Sequence, residues 1–150
     1  MLIYLCLSSH GYGHAARQAA VLVELHRLQP QWRFVVSTDV DFQFLNLALQ
    51  GVPFEYRKLR WDVGMVQANA LAIDPIATLK ALQELEQHIP AQIAAEVSWI
   101  QSQHMSVLVL ADIPPAAAEL ADQLGVPLVW MGNFGWDEIY APLGDSFLAH

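Results

Sequence analysis

Basic residues are scarce in this 150-residue chain: seven Lys and Arg stand against fifteen Asp and Glu, for a net charge of −8. A surface of that sign does not attract a nucleic-acid backbone or an anionic membrane, and neither is expected as the main partner. Cysteine is scarcer still. The single Cys6 excludes an internal disulfide, and a reduced thiol inside an apolar run suits the cytoplasm. No uninterrupted apolar run reaches the ~18 residues that span a bilayer. The opening Met1-Leu2-Ile3-Tyr4 has no basic segment, and the run that follows is too short for a signal peptide. There is no Gly-Lys-Ser/Thr phosphate loop, which argues against a nucleotide triphosphatase. Internal repeats, low-complexity tracts and linkers are also missing. These absences leave a soluble cytoplasmic chain that is one domain by length.

What the chain has in excess is apolar residues, 55% of the total, above the usual share for soluble domains. They come in short blocks. Leu2-Ile3-Tyr4-Leu5-Cys6-Leu7 is continuously apolar and bounded by Ser and Gly, as expected of a strand buried on both faces. A helical pattern follows from about Ala15 to Leu28, with Val21, Leu22, Leu25 and Leu28 on one face and Pro30 as its stop. Arg33 to Thr38 reads as a second strand, Asp41 to Leu49 as a short helix closed by Gly51, and Pro53 to Tyr56 as a weaker third strand. Leu59 to Asp74 is irregular and reads as a long loop or a broken helix, a place where function is often found. Pro75 opens a helix to about Gln103 that Pro90 is expected to kink or divide. Ser106 to Ala111 is a fourth strand, Pro114 to Leu124 a helix capped by Gly125, and Val126 to Trp130 a fifth strand.

Strands alternating with helices, the strands apolar throughout, imply an α/β fold: a Rossmann-like, doubly wound parallel sheet in the order 3-2-1-4-5. Ligands bind such sheets beyond the carboxyl ends of the strands, where the winding reverses between the first and fourth. This selects Ser8 to Arg17, the loop after strand one. Gly11 and Gly13 allow a tight turn and close approach of a ligand, and His14 sits at the mouth of the following helix. Asp112 ends strand four, so it and His14 should face one crevice, with Asn133 at its border. A carboxylate on one imidazole nitrogen fixes the tautomer and makes the other nitrogen a better base for a hydroxyl nucleophile. The bland alternative is that His14 caps its helix and Asp112 caps the one at Pro114.

Other readings compete for the same residues. His10 and His14 are four apart, but the intervening Gly-Tyr-Gly makes a helical pair unfavourable and no Cys or acidic cluster completes a site, so no metal is expected. Gly11-x-Gly13-x-x-Ala16 also satisfies a loose dinucleotide fingerprint, with Asp39 ending strand two where a ribose-binding acid belongs, though later than the usual interval. Arg17, one turn into the helix, either steers an anionic group or is simply solvated. Trp61, Trp99 and Trp130 read as core or interface residues, while Trp136 is placed to line a pocket or stack on a sugar. Glu84, Glu86, His88 and Glu96 read as the solvated face of the long helix.

Three stretches carry a resemblance: His10-Gly11-Tyr12-Gly13-His14-Ala15-Ala16-Arg17; Asp62-Val63-Gly64-Met65-Val66-Gln67-Ala68-Asn69-Ala70-Leu71 with Asp74; and Asn133-Phe134-Gly135-Trp136-Asp137 with Ile139-Tyr140. With these, residues 1–150 resemble the N-terminal half of a GT-B glycosyltransferase, and more closely the glycosyltransferase-like N-terminal domain of plant L-arabinokinases and their bacterial relatives. The resemblance implies an acceptor-binding half-enzyme that transfers a sugar from a nucleotide sugar to an acceptor hydroxyl. His14 would be the base and Asp112 its orienting group. Gly11, Gly13, Arg17, Asn133 and Trp136 would line the substrate site. No cofactor is implied. The donor-binding C-terminal domain is expected to lie outside this chain, which reads as a truncated or split half needing a second domain or subunit. The glycine-serine phosphate motifs of the kinase module are missing, so kinase activity is not expected. The alternatives are a non-catalytic sugar- or nucleotide-sugar-binding module and a dinucleotide-binding Rossmann domain.

Overall fold

A computed structural model describes residues 1–69 and 72–141. Five parallel strands, β1 (Leu2–Cys6), β2 (Arg33–Thr38), β3 (Phe54–Lys58), β6 (Val107–Ala111) and β7 (Leu128–Trp130), form one sheet in the order β3-β2-β1-β6-β7. This is the doubly wound order expected from the alternation, with the winding reversing between β1 and β6. A strand's side chains alternate between the two faces of its sheet. In β1, Ile3 and Leu5 therefore join Leu7 in packing under α1 (Tyr12–Leu28) and α2 (Phe42–Ala48), against Ala15, Ala19, Leu22 and Leu45. Leu2, Tyr4 and Cys6 face the opposite layer, α3 (Pro75–Ser102) and α4 (Ala116–Leu124), against Ile93, Ile100, Ala117 and Leu120. Burial on both faces is why β1 is apolar without interruption, and burial also pushes the Cys6 thiol pKa up.

Four local differences from the sequence reading have physical causes. The first helix begins at Tyr12 rather than near Ala15. Of the two glycines in that loop only Gly11, at φ 87°, has a positive φ; Gly13 lies in the helix's first turn. The segment after β3 is neither all loop nor helix: β4 (Gln67–Asn69) and β5 (Ala72–Ile73) pair antiparallel, and Asp74 then caps α3 by accepting from the Ala77 amide at 2.9 Å. Ala70 and Leu71 of the resembling stretch lie outside the described residues. Pro90 does not divide α3, which runs unbroken through it; the helix forgoes one backbone hydrogen bond but keeps its packing on the sheet. Among the described residues no helix is long and apolar enough to cross a membrane.

Glu96 is the clearest correction. It is only 3% exposed and belongs to the interior, not to a solvated face of α3. Its carboxylate accepts from the Tyr4 hydroxyl at 2.6 Å and from Arg57 Nη2 at 2.6 Å, while the Arg57 guanidinium lies 4.0 Å over the Trp99 ring. A helical spacing pattern identifies a face, but it does not reveal that an Arg on β3 and a Tyr on β1 await an acid there. Burial beside the Glu96 anion raises the Tyr4 pKa well beyond its ordinary value, so Tyr4 stays a donor. Glu96→Ala should destabilise the chain by about 3 kcal/mol, the low end for breaking a buried pair because Arg57 still reaches solvent. A lowered urea midpoint at unchanged slope is the expected result.

Candidate functional site

The register of the sheet builds the site. Cys6 lies opposite Ala111, the last residues of β1 and β6, so the residues after them emerge at the same level. The Asp112 amide donates to the Cys6 carbonyl at 3.1 Å, and the Leu7 amide to the Ser37 carbonyl at 3.0 Å. Beyond Leu7 the chain turns sharply. The His10 amide donates to Ser8 Oγ at 3.2 Å, the Gly11 amide to the Ser9 carbonyl at 3.0 Å, and α1 starts at once. The positive φ at Gly11 is what a side chain would resist. One half-turn later His14 points back across the sheet end.

There His14 meets Asp112. Nδ1 of the imidazole is in close contact with Asp112 Oδ2, and the carboxylate side chain has no exposed surface. Asp112 Oδ1 also accepts from Arg17 Nη2 at 3.2 Å and Gln18 Nε2 at 3.1 Å, and Gln18 Nε2 donates to the Met131 carbonyl at 3.0 Å. Asp112 therefore does not cap α4, which has no side-chain cap. Arg17 Nη2 lies 3.2 Å from His14 Nδ1 as well. That nitrogen cannot accept from Arg17 while donating to Asp112. Beside a buried carboxylate, donation to Asp112 is the favoured choice, which places the lone pair on Nε2. Nε2 has no hydrogen bond among the described residues, and the His14 side chain keeps 11% of its surface exposed.

Of the other residues singled out in the sequence, Arg17 is tied into this knot and is not free to meet an anion alone: its Nη1 donates to Asn133 Oδ1 at 3.2 Å. Asn133 thus stands at the border of the crevice. Gly11 lines a cleft of about 640 Å³ with Ser9, Tyr12, Asp39, Phe42 and Tyr56. A second cleft of about 570 Å³ is walled by Asp112, Asn133, Phe134 and Trp136. Space lies open around Gly13, where an added Cβ would meet no atom within 4 Å. Trp136 is 3% exposed, so it is a wall and not an open stacking platform. His10 turns to Trp136, edge-on at 5.5 Å, and lies over Gly64. Among the described residues no three His, Cys, Asp or Glu side chains are grouped to hold a metal ion.

Residues that the sequence reading gave no role also converge here. Asp62 Oδ2 accepts the Trp136 indole N–H at 2.7 Å, Tyr140 stacks on Trp136 at 5.3 Å, and the Tyr140 hydroxyl donates to the Val63 carbonyl. Phe134 stands edge-on to both His14 and Trp136, at 5.7 Å from each. Asp62, Gly64, Phe134 and Tyr140 all fall within the resembling stretches, which was the available signal. Gln18 had none. Burial raises the Asp62 pKa, and this is opposed in turn by the Trp136 bond, the Ser8 hydroxyl, the neighbouring His14 and the Ser9 amide.

No family model matches the chain. In sequence it is 35% identical over 136 residues to L-arabinokinase of Arabidopsis thaliana, an alignment that covers 90% of this chain and 13% of that protein. In structure, 86% of the chain superposes on 27% of a crystal structure of a UGT transferase from Siraitia grosvenorii in complex with UDP, with a TM-score of 0.55 and 14% identity. The chain therefore shares the doubly wound α/β fold of one part of that transferase. The doubly wound sheet places its His–Asp contact at the strand ends where the winding reverses, the place where such sheets bind ligands.

The raised Asp62 pKa has a consequence for stability. An acid whose folded pKa lies above its unfolded value, 3.8 here, binds protons more readily when folded. Its ionisation opposes folding at neutral pH, and that opposition fades as the pH falls through the folded pKa. The stability of the wild type relative to Asp62→Asn should therefore rise as the pH is lowered from 7 towards 4. Urea titrations of both proteins across that range check the sign.

Proposed function

We propose that this GT-B-like chain is the acceptor-side domain of a glycosyltransferase, in which His14 takes the proton from an acceptor hydroxyl. One observation carries the reading: His14 sits at the carboxyl ends of the strands with an Nε2 that makes no hydrogen bond among the described residues, while its Nδ1 rests on a carboxylate that no solvent reaches. Asp112 holds the ring and stabilises the imidazolium that forms when the proton arrives. The deprotonated oxygen attacks the anomeric carbon of a nucleotide sugar, the bond to the nucleotide diphosphate breaks, and the diphosphate leaves with the bonding electrons. Gly11 and Gly13 give the acceptor access, and Arg17 and Asn133 border it. The donor is held mainly by a second domain or subunit. UDP in the solved structural neighbour supports a nucleotide-linked sugar as the class of donor.

His14→Ala should lower transfer by about 10²–10⁴-fold with the fold intact, the usual contribution of a positioned base. The assay follows nucleotide diphosphate release from UDP-sugars with neutral sugar acceptors, with and without a candidate donor-side partner. Full activity in the variant removes His14 from the mechanism. Saturable sugar binding without turnover, with or without the partner, points instead to a non-catalytic binding module. A dinucleotide reading is kept by one observation, that Asp39 lines the same cleft as Gly11. Saturable NAD(H) binding that is lost in Asp39→Ala would put it first.

A further inference from the structure

The contact of His14 with Asp112 explains one side of the imidazole. Its ring edge also meets Phe134, the first of a row of rings that runs from the segment after β7 back to the loop after β1. Phe134 stands against His14, Trp136 against Phe134 and His10, and Tyr140 against Trp136. Stacking and edge contacts are individually modest and leave a ring free to slide. A directional bond does not. Among the described residues the segment after β7 has two such bonds to residues 61–64, from Trp136 to Asp62 and from Tyr140 to the Val63 backbone. Only the first uses a buried carboxylate.

Asp62 is 4% exposed. Burying an acid is costly, and the Ser8 hydroxyl and the Ser9 amide beside it offset that cost only in part. What the carboxylate adds is a fixed direction for the indole N–H at 2.7 Å, hence a fixed plane for Trp136. Gly64 completes the arrangement: a Cβ there would fall 1.7 Å from His10 Nδ1, so only glycine lets His10 lie over the turn and against Trp136.

We propose that Asp62 is a positioning residue for the His14 site: through Trp136 it seats residues 133–140 and so sets Phe134 against the His14 ring. The seating is a property of the folded chain, and only its catalytic consequence rests on the transferase reading of His14. Asp62 touches no reacting atom in that reading. It acts by holding the wall against which His14 keeps the orientation that Asp112 demands.

The test uses the full chain and needs no substrate. Phe134 places a ring current on His14, so the His14 ring signals in an NMR spectrum report the seating, and exchange of the Trp136 indole proton reports the bond. Asp62→Ala should move the His14 signals towards those of an exposed histidine. It should also speed indole exchange by about tenfold or more, as for loss of a hydrogen bond to a charged group. Asp62→Asn, which still offers an oxygen to the indole, should restore both. Unchanged His14 signals and indole exchange in Asp62→Ala overturn the proposal, as does an Asp62→Asn protein that behaves like Asp62→Ala. If Asp62→Ala does not fold, Trp136→Phe keeps an aromatic ring and removes only the donor. It should shift the His14 signals, and their constancy would be equally fatal. Full transfer activity in His14→Ala would defeat the catalytic reading while leaving these spectra to decide the seating.

Discussion

Asp112 is a carboxylate that water does not reach, and the working end of this molecule is arranged to make that tolerable. A buried carboxylate requires polar neighbours. Arg17 and Gln18 bond its Oδ1, His14 lies against its Oδ2, all three from successive turns of α1, and Asp112 itself comes from the end of β6. The same contacts tie α1 to the strand beside β1. Through Asn133 and Met131, Arg17 and Gln18 extend the tie to the residues after β7. One charge thus binds three elements, and the imidazole is oriented as a by-product of keeping that charge satisfied.

That arrangement depends on a rigid floor. β1 is central, pairs with β2 and β6 in unbroken register, and contributes to both hydrophobic layers. A slip of one residue along β6 would turn every side chain to the other face and move Asp112 away from His14. The fully apolar strand makes such a slip costly because Leu2 through Leu7 are all buried. On the α3 side, Glu96 pins helix and sheet together through Arg57 and Tyr4. Glu96 thus serves the architecture of the sheet, and Asp112 the imidazole.

Much of this is legible in the order of the amino acids. Alternating apolar blocks and their punctuation lead to the doubly wound order, and that order brings His14 and Asp112 together across nearly a hundred positions. What escapes such a reading is mostly polar and buried. Glu96 reads as solvated because its partners lie on strands remote in sequence. Gly13 reads as part of a turn because glycine permits a turn without requiring one, whereas Gly11 needs its positive φ. The pairing of β4 with β5 escapes because two- and three-residue strands leave no periodicity to read.

By itself, then, the sequence determined the layer architecture, the strand order and the end of the sheet where the chemistry-bearing residues collect. Hydrophobic period and strand-helix alternation are local properties that act on every residue in a block. Only the tertiary structure decided which polar groups pair: Arg17 with Asp112 and Asn133, Glu96 with Arg57 and Tyr4, Asp62 with Trp136. Such bonds form within about 3 Å and depend on direction. Their partners are chosen by where the packed elements bring them, which no local pattern records.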